Sequence, residues 1–179
     1  SDRFSVDYWR DYELVPKSFT IATDVVVPAQ GYFTQTVRTS YSLGQQRLLS
    51  GRAAVARGSF YNGMRTEASY NGRIGIIPQF AVEPSVSLNW VDLPYGTFST
   101  RLFTSRFIVT PNPRTMVTML MQFNSSAHTL SASVRLRWEY RAGSELFVVY
   151  SDGRDTLDSA PVGLLNRSVA VKATRLLRF

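Results

Sequence analysis

The sequence predicts an all-β protein, an antiparallel up-and-down transmembrane β-barrel of about ten strands. Three observations predict this fold class. Apolar and polar side chains alternate with a period of two along most of the chain, which is the period of a β-strand. No apolar run approaches the roughly 18 residues that a membrane helix needs. The predicted long connections also fall at one end of the strands, as they do in outer-membrane barrels.

The clearest strand is residues 130–140, which read LSASVRLRWEY. Its even positions are all apolar, and its odd positions are all polar or charged. The run is about as long as a strand that crosses a bilayer, roughly 9–11 residues. Its apolar side ends in Trp138 and Tyr140, which suit a membrane–water interface. The stretch therefore predicts a strand with lipid on one side and a polar lumen on the other.

The remaining strands follow the same alternation, interrupted by turn residues. The ten predicted strands are residues 3–14, 32–43, 47–60, 64–76, 80–92, 98–110, 115–124, 130–140, 144–152 and 165–179. Asn62-Gly63 is the strongest hairpin signal, because both residue types favour the backbone of a tight turn. Pro84 lies within the fifth strand and predicts a bulge or a locally weak pairing, since proline cannot donate to the ladder.

The connections between these strands fall into two groups. Those after even-numbered strands are short, at residues 44–46, 77–79, 111–114 and 141–143. Those after odd-numbered strands include both long ones, residues 15–30 and 153–164. Short turns at one rim and longer loops at the other are typical of outer-membrane barrels, and an even strand count places both termini at the short-turn rim.

Composition predicts one barrel domain, residues 1–179, and limits the chemistry. The net charge of +7 is scattered over many strand faces, which favours arginines in a pore or at lipid head groups over binding of nucleic acid. The absence of cysteine excludes disulfides and thiolate metal sites, and there is one histidine. We therefore expect neither a metal nor a cofactor.

Charged residues on the polar sides of the predicted strands form the candidate lumen lining. Their opposite charges could pair across adjacent strands and fill the lumen, or they could form a basic constriction that selects anionic solutes. A ten-stranded barrel is narrow, which favours a filled lumen, whereas a wider barrel would favour an open one. The candidates are Arg38, Arg52, Arg65, Glu67, Arg73, Glu83, Arg106, Arg135, Arg137, Glu139, Glu145 and Lys172.

Aromatic residues on the apolar sides are candidates for the membrane interface. They are Tyr8, Tyr12, Trp90, Trp138, Tyr140 and Tyr150. The last predicted strand ends on Phe179, with Leu177 on the same side. A terminal phenylalanine on an alternating strand resembles the signal that the bacterial barrel-assembly machinery reads, which implies that machinery as a partner.

Residues 58–63, 96–101, 135–141, 145–152 and 166–179 carry a more specific resemblance. The chain is similar to the C-terminal barrel of an uncharacterised family of large bacterial outer-membrane proteins. Longer members of that family carry a domain similar to carbohydrate-binding modules before the barrel. The resemblance implies a bacterial outer-membrane location, with the lipid bilayer as partner, and no activity. It also implies preceding sequence or other chains, so the ten strands are either a whole barrel or part of a wider one.

The leading functional hypothesis is an outer-membrane barrel that acts as a membrane anchor or a passive, porin-like pore without catalysis. One alternative is a barrel enzyme of protease or lipase type with a rim site at His128, beside Asn124, Ser125 and Ser126. Residues this close in sequence rarely face one another as catalysis requires. A soluble lipocalin-like carrier is less favoured, because it would have an apolar inside and a charged outside. The segment at residues 152–155 resembles part of a calcium loop but lacks the full ligand spacing.

Overall fold

The computed structural model describes residues 1–157 and 163–176. The described residues form twelve β-strands: β1 Arg3–Leu14, β2 Phe19–Ala22, β3 Val25–Val27, β4 Gly31–Leu43, β5 Leu49–Phe60, β6 Gly63–Ile77, β7 Phe80–Leu93, β8 Gly96–Asn112, β9 Thr115–Asn124, β10 Thr129–Arg141, β11 Ser144–Asp155 and β12 Leu164–Thr174. No helix in these two ranges is long and apolar enough to cross a membrane.

Ten of the strands form one antiparallel sheet, and β2 and β3 form a separate hairpin. The strand order in the sheet is β1-β4-β5-β6-β7-β8-β9-β10-β11-β12, so consecutive strands of the sheet pair with each other, and only β2 and β3 intervene in the chain, between β1 and β4. The all-β, up-and-down prediction is therefore confirmed. Within the described residues, β1 and β12 each pair on one side only, and the sheet is not closed.

The strand predictions agree closely with these bounds. The first and seventh predicted strands coincide with β1 and β9, whereas β8 extends beyond its predicted range at both ends. Strand β7 continues through Pro84, so the proline does not interrupt the strand. The last predicted strand is observed as β12 up to Thr174, and the proposed assembly signal at Leu177 and Phe179 lies outside the described residues.

The two groups of connections are also as predicted. The connections after β4, β6, β8 and β10 are short, at residues 44–48, 78–79, 113–114 and 142–143. The longer ones follow β1 and β11, at residues 15–30 and 156–163. Alternate connections of a meander lie at opposite ends of its strands, so the sequence identified the two ends correctly.

The hairpin between β5 and β6 turns one residue earlier than Asn62-Gly63 suggested. Tyr61 and Asn62 are its central residues, with φ of 44° and 65°, and Gly63 begins β6. Positive φ at both central positions is the pattern of a type I′ turn. Gly63 is required for a different reason, because a Cβ there would overlap the backbone carbonyl oxygen of Asp92.

The strands divide into two compact units. Unit 1 consists of Ser1–Asn71 and Val86–Arg101, and unit 2 consists of Gly72–Ser85 and Leu102–Phe179. Unit 1 contains β1 to β5, of which β2 and β3 form the hairpin, and parts of β6, β7 and β8. Unit 2 contains β9 to β12 and the other parts of those three strands.

An apolar cluster in unit 1 holds the connection of residues 15–30. Val27 is fully buried and Tyr32 is 1% exposed, and both pack with Tyr61 and Leu93. The Tyr32 hydroxyl donates a hydrogen bond of 2.8 Å to the Pro28 carbonyl oxygen. An isolated two-stranded hairpin is at best marginally stable, so the hairpin of β2 and β3 depends on this cluster. The sequence predicted a long connection here but not the hairpin within it.

Candidate functional site: the polar face of the strands

Along β4 in unit 1, after the buried Tyr32, the usual relation between polarity and burial is inverted. On β4 the apolar side chains of Phe33 and Val37 are 60% and 47% exposed. The alternating polar residues Thr36 and Ser40 are 8% and 2% exposed. In a water-soluble sheet the apolar side of a strand is normally the buried one. Strand β4 therefore buries its polar side and exposes its apolar side.

Strand β5 exposes its larger apolar side chains on the same side as β4, and it buries small rather than polar residues on the other side. Val55 is 53% exposed, whereas Ala54 and Ala56 on the other side are 6% and 5% exposed. Gly58 continues that buried side, and a Cβ there would overlap the Gln35 carbonyl oxygen. We call the side of unit 1 that carries the even-numbered residues of β4 and β5 its polar face. Small residues on β5 leave room on this face for the longer side chains of its neighbours.

Arg52 belongs to a hydrogen-bonded chain that crosses three strands on this face. Its Nη2 donates to the Ser40 hydroxyl oxygen at 2.8 Å, and the hydroxyls of Ser40 and Ser5 are 2.7 Å apart. Arg38 lies on the same side of β4, and its Nε is buried without a hydrogen-bond partner among the described residues. The predicted lumen residues Arg38 and Arg52 thus share the polar face of unit 1.

Arg65 and Glu67 lie near the start of β6, next to the turn between β5 and β6. The Arg65 guanidinium carbon is 5.0 Å from the centre of the Phe60 ring, and Arg65 Nη2 is 3.9 Å from Glu67 Oε2. The Tyr61 hydroxyl donates to Glu13 at 3.1 Å. Burial, followed by the hydrogen bond to Glu13, raises the pKa of Tyr61 above its ordinary value. The Tyr61 hydrogen bond joins the turn to β1, and the contact between Arg65 and Phe60 joins β6 to β5.

In unit 2 one glutamate connects two predicted lumen arginines. Glu83 on β7 lies 3.2 Å from Arg73 on β6 and 3.6 Å from Arg106 on β8. All three charges are on adjacent strands and opposite charges pair laterally, which is one of the two arrangements that the sequence left open. Because the two arginines are more than half exposed, each pair contributes little to stability by itself.

The other predicted charges of unit 2 lie on β10, β11 and β12. Arg137 contacts Glu145 through two guanidinium nitrogens, with Nε at 2.9 Å, and Glu139 accepts a hydrogen bond from the Gly143 amide at 3.1 Å. Arg135 makes no hydrogen bond or ion pair with any residue in the described ranges. The register places Lys172 directly opposite Phe147.

A cleft of about 510 Å³ surrounds Arg135. Its lining combines three arginines with apolar side chains on the same side of the strands. It comprises Arg106, Ile108, Met116, Thr118, Leu120, Ser133, Arg135, Arg137, Phe147, Val149 and Ser151. The register gives these residues one face, which we call the polar face of unit 2.

Sequence reasoning identified the arginines of this cleft but missed its apolar part. Met116 and Leu120 on β9, and Phe147 and Val149 on β11, fall where the alternation predicts polar residues. Both strands are therefore apolar on two sides over part of their length. That interruption of the period is the one local signal of this apolar surface, although it does not show that the two strands contribute to one cleft.

The six predicted interface aromatics are all exposed on the apolar sides of their strands. Their exposures range from 62% for Tyr8 to 36% for Tyr150. Trp138 and Tyr140 lie near the end of β10 that leads to a short turn, whereas Tyr12 and Trp90 lie near the ends of β1 and β7 that lead to the other group of connections. Tyr8 and Tyr150 occupy the middle of their strands, away from either end.

The residues around His128 form a structural turn. The Asn124 side-chain oxygen accepts hydrogen bonds from the amides of Ser126 and Ala127 at 2.9 and 3.2 Å. His128 has a positive φ of 49°, and its carbonyl oxygen accepts the Thr156 amide at 2.7 Å. Asn124 thus caps the loop, as asparagine does in many turns.

Asp152, in the segment that resembles a calcium loop, faces cations of its own chain. Its carboxylate lies 2.9 Å from Arg154 Nε and 3.6 Å from Arg167 Nε. Within residues 1–157 and 163–176, no group of three or more histidine, aspartate or glutamate residues is placed to hold a metal ion.

Comparisons with known proteins add no family to this description. No protein-family model, no curated protein and no solved structure matches the chain.

Proposed function

We propose that this chain is an integral β-barrel domain of the bacterial outer membrane that acts as a membrane anchor or passive pore without catalysis. The observation that carries the proposal is the inverted burial of β4, beside which β5 buries only small residues. Aliphatic and aromatic side chains on these strands face the surroundings, whereas hydroxyls and small residues are buried. A bilayer is the solvent in which this arrangement is favourable.

The exposed apolar surface in unit 1 is extensive. On β1, Phe4, Val6, Tyr8, Tyr12 and Leu14 are all at least 58% exposed, and they continue the apolar side of β4. Arg10 is the one charged residue in this row of β1, and its guanidinium carbon lies 5.2 Å from the centre of the Phe33 ring. Contiguous apolar patches of this kind are rare on water-soluble monomers and mark membrane or protein contacts. A lipocalin-like carrier would require the opposite burial on these strands.

The proposal requires that the free edges of β1 and β12 be paired. They would pair with each other in a ten-stranded barrel, or with strands of preceding sequence or other chains in a wider one. The second arrangement is the one that the family resemblance implies. In either case, the lateral ion pairs on the polar faces would line the lumen.

The primary test is the behaviour of the full chain in detergent and lipid. We expect the purified chain to need detergent for solubility and to migrate differently on gels before and after boiling, as folded membrane barrels do. A chain that remains monodisperse in water without detergent would contradict the membrane assignment and favour the carrier.

Planar-bilayer recordings separate an anchor from a pore. Large, stable openings would indicate a pore, whereas a folded and inserted chain without conductance would indicate an anchor with a filled lumen. For a pore, Arg135→Glu should lower the preference for anions, because this arginine has no neutralising partner in the described structure. Gln122→Glu on the same face is the matched control for an added negative charge.

A further inference from the structure

We infer that the cleft around Arg135 binds an amphipathic anion, a long-chain carboxylate whose head group contacts Arg135 and whose chain lies on the apolar residues beside it. The inference goes beyond the proposed function, because it depends only on the cleft of unit 2 and not on a bilayer around it. The cleft combines a cation without an ion-pair partner among the described residues, neighbouring hydroxyls and an apolar surface.

The charge of the cleft and its surroundings is positive. The titratable groups on this face are five cations and four carboxylates, which leaves a net charge of about +1. Glu83 contacts Arg73 and Arg106, Glu145 contacts Arg137, and Glu139 accepts a backbone amide. The cations are Arg73, Arg106, Arg135, Arg137 and Lys172, and the anions are Glu83, Glu139, Glu145 and, at the far end of β11, Asp155, which accepts the Leu157 amide. Arg135 is exposed and makes no ion pair in the described structure, so its guanidinium can bind an incoming carboxylate.

The register surrounds Arg135 with groups suited to both parts of such a ligand. Thr118 is directly opposite on β9 and offers a hydroxyl, while Val149 is directly opposite on β11. Directly opposite residues have Cβ atoms about 4.5–5.5 Å apart. A carboxylate at Arg135 would therefore lie beside Thr118, and a hydrocarbon chain could extend over Val149 and Phe147.

The apolar residues distinguish this ligand from a small inorganic anion. Five of the eleven lining residues are Ile, Met, Leu, Phe or Val, although they lie on the polar face. An anion without a hydrocarbon part would leave this surface in contact with water, at a cost proportional to its area. The volume of about 510 Å³ lies within the range of sites for small organic ligands.

The test uses the full chain folded in phosphatidylcholine vesicles and a fluorescent fatty acid, dansylundecanoate, with protein-free vesicles subtracted. Dodecanoate should displace the probe, whereas dodecanol, dodecyltrimethylammonium and acetate should not do so at the same concentrations. Dodecanol lacks the charge, dodecyltrimethylammonium has the opposite charge, and acetate lacks the chain. Equal displacement by dodecanol and dodecanoate would overturn the inference.

Two substitutions test the two halves of the site. Arg135→Gln should weaken dodecanoate binding about tenfold, because it removes a charge-assisted hydrogen bond. Val149→Thr should weaken it about fivefold, because a hydroxyl replaces a methyl group at nearly the same shape. Arg52→Gln, the same change on the polar face of unit 1, is the matched control and should leave binding unchanged.

Unchanged binding in Arg135→Gln, or an equal loss in Arg52→Gln, would overturn the inference. Heat-modifiable migration, or an unchanged β-sheet circular dichroism spectrum if the chain is soluble in water, shows that each variant has folded, so a loss of binding cannot come from misfolding. The measurements of folding and insertion also distinguish a failure of this inference from a failure of the proposed function. If the protein folds and inserts but does not bind dodecanoate, only the inferred ligand site is contradicted. If the chain binds dodecanoate but is soluble in water, only the membrane assignment is contradicted.

Discussion

Met119 offers the sharpest test of which solvent the apolar side of unit 2 meets. It lies in the middle of β9, opposite Phe107 on β8 and Val134 on β10. The row continues through Tyr150 on β11 to Val169 on β12, and Val169 is 65% exposed. No acidic residue lies in this row, so an arginine introduced at position 119 would find no carboxylate directly across the ladder.

The expected cost of Met119→Arg depends on the surroundings of this row. If the row faces lipid, an arginine near the middle of the bilayer should destabilise the barrel by about 2–4 kcal/mol. This corresponds to a roughly 30- to 1,000-fold larger unfolded fraction. If the row faces water, the arginine stem can pack where the half-buried methionine lay while its charge stays hydrated. The cost should then be only about 0.5 kcal/mol.

The measurement is reversible unfolding by guanidinium in phosphatidylcholine vesicles, followed by tryptophan fluorescence. Gln122→Arg is the matched control, because it places the same side chain on the opposite side of the same strand. Gln122 lies between Thr104 and Ser131, which are both polar, and the control should change the free energy of unfolding by less than about 0.5 kcal/mol. Equal small effects of both substitutions would refute the assignment of lipid to the Met119 side.

Two further predictions concern unit 1. Val27→Ala should lower the free energy of unfolding by about 2 kcal/mol in the same assay, because it removes two methyl groups from a fully buried site. An effect below about 0.5 kcal/mol would show that the hairpin of β2 and β3 does not pack as described. The Gly44 amide, the Tyr41 hydroxyl and Arg47 hold the pKa of Asp2 below 3.8, so ionised Asp2 should stabilise the fold above that pH and lose this contribution as the pH falls through its lowered pKa. Unfolding titrations of wild type and Asp2→Asn should therefore converge in acid, and a constant difference at every pH would contradict the interpretation.

The strands were predictable because their signal is local. A period of two within ten to fourteen residues specifies both the strand and its two sides, as β4 and β10 illustrate. Connection lengths were likewise visible, since turn residues interrupt the alternation. The lateral pairs at Glu83 followed from charges on the same side of adjacent strands. These features require no information from distant parts of the chain.

The features that sequence analysis missed depend on distant partners. The hairpin of β2 and β3 forms because Val25 and Val27 meet Tyr32, Tyr61 and Leu93, and nothing within residues 15–30 identifies those partners. The same cluster accounts for the shifted turn, because Tyr61 is 8% exposed and packs within it despite a positive φ. A bulky residue rarely adopts this conformation unless surrounding contacts compensate for the strain.

The cleft of unit 2 was missed for a related reason. Met116, Leu120, Phe147 and Val149 interrupt the alternation, but an interruption alone does not show whether apolar residues from two strands meet. The register brings β9 and β11 to either side of β10, and only then do the four residues surround Arg135. The pattern within one strand thus predicts which side chains share a side of that strand. A site built from several strands can be recognised only when the pairing of those strands is known.

The free edges of β1 and β12 place a strong physical condition on the proposed barrel. About half of the residues in an edge strand direct their backbone N–H and C=O groups away from the neighbouring strand. Over the 12 residues of β1 and the 11 of β12, this leaves roughly ten unpaired groups at each edge. Each costs several kcal/mol in hydrocarbon, so the total of tens of kcal/mol exceeds the roughly 5–15 kcal/mol that stabilises a typical fold. Insertion into a bilayer must therefore be coupled to pairing of these edges, and the unpaired sheet cannot be the membrane-embedded state.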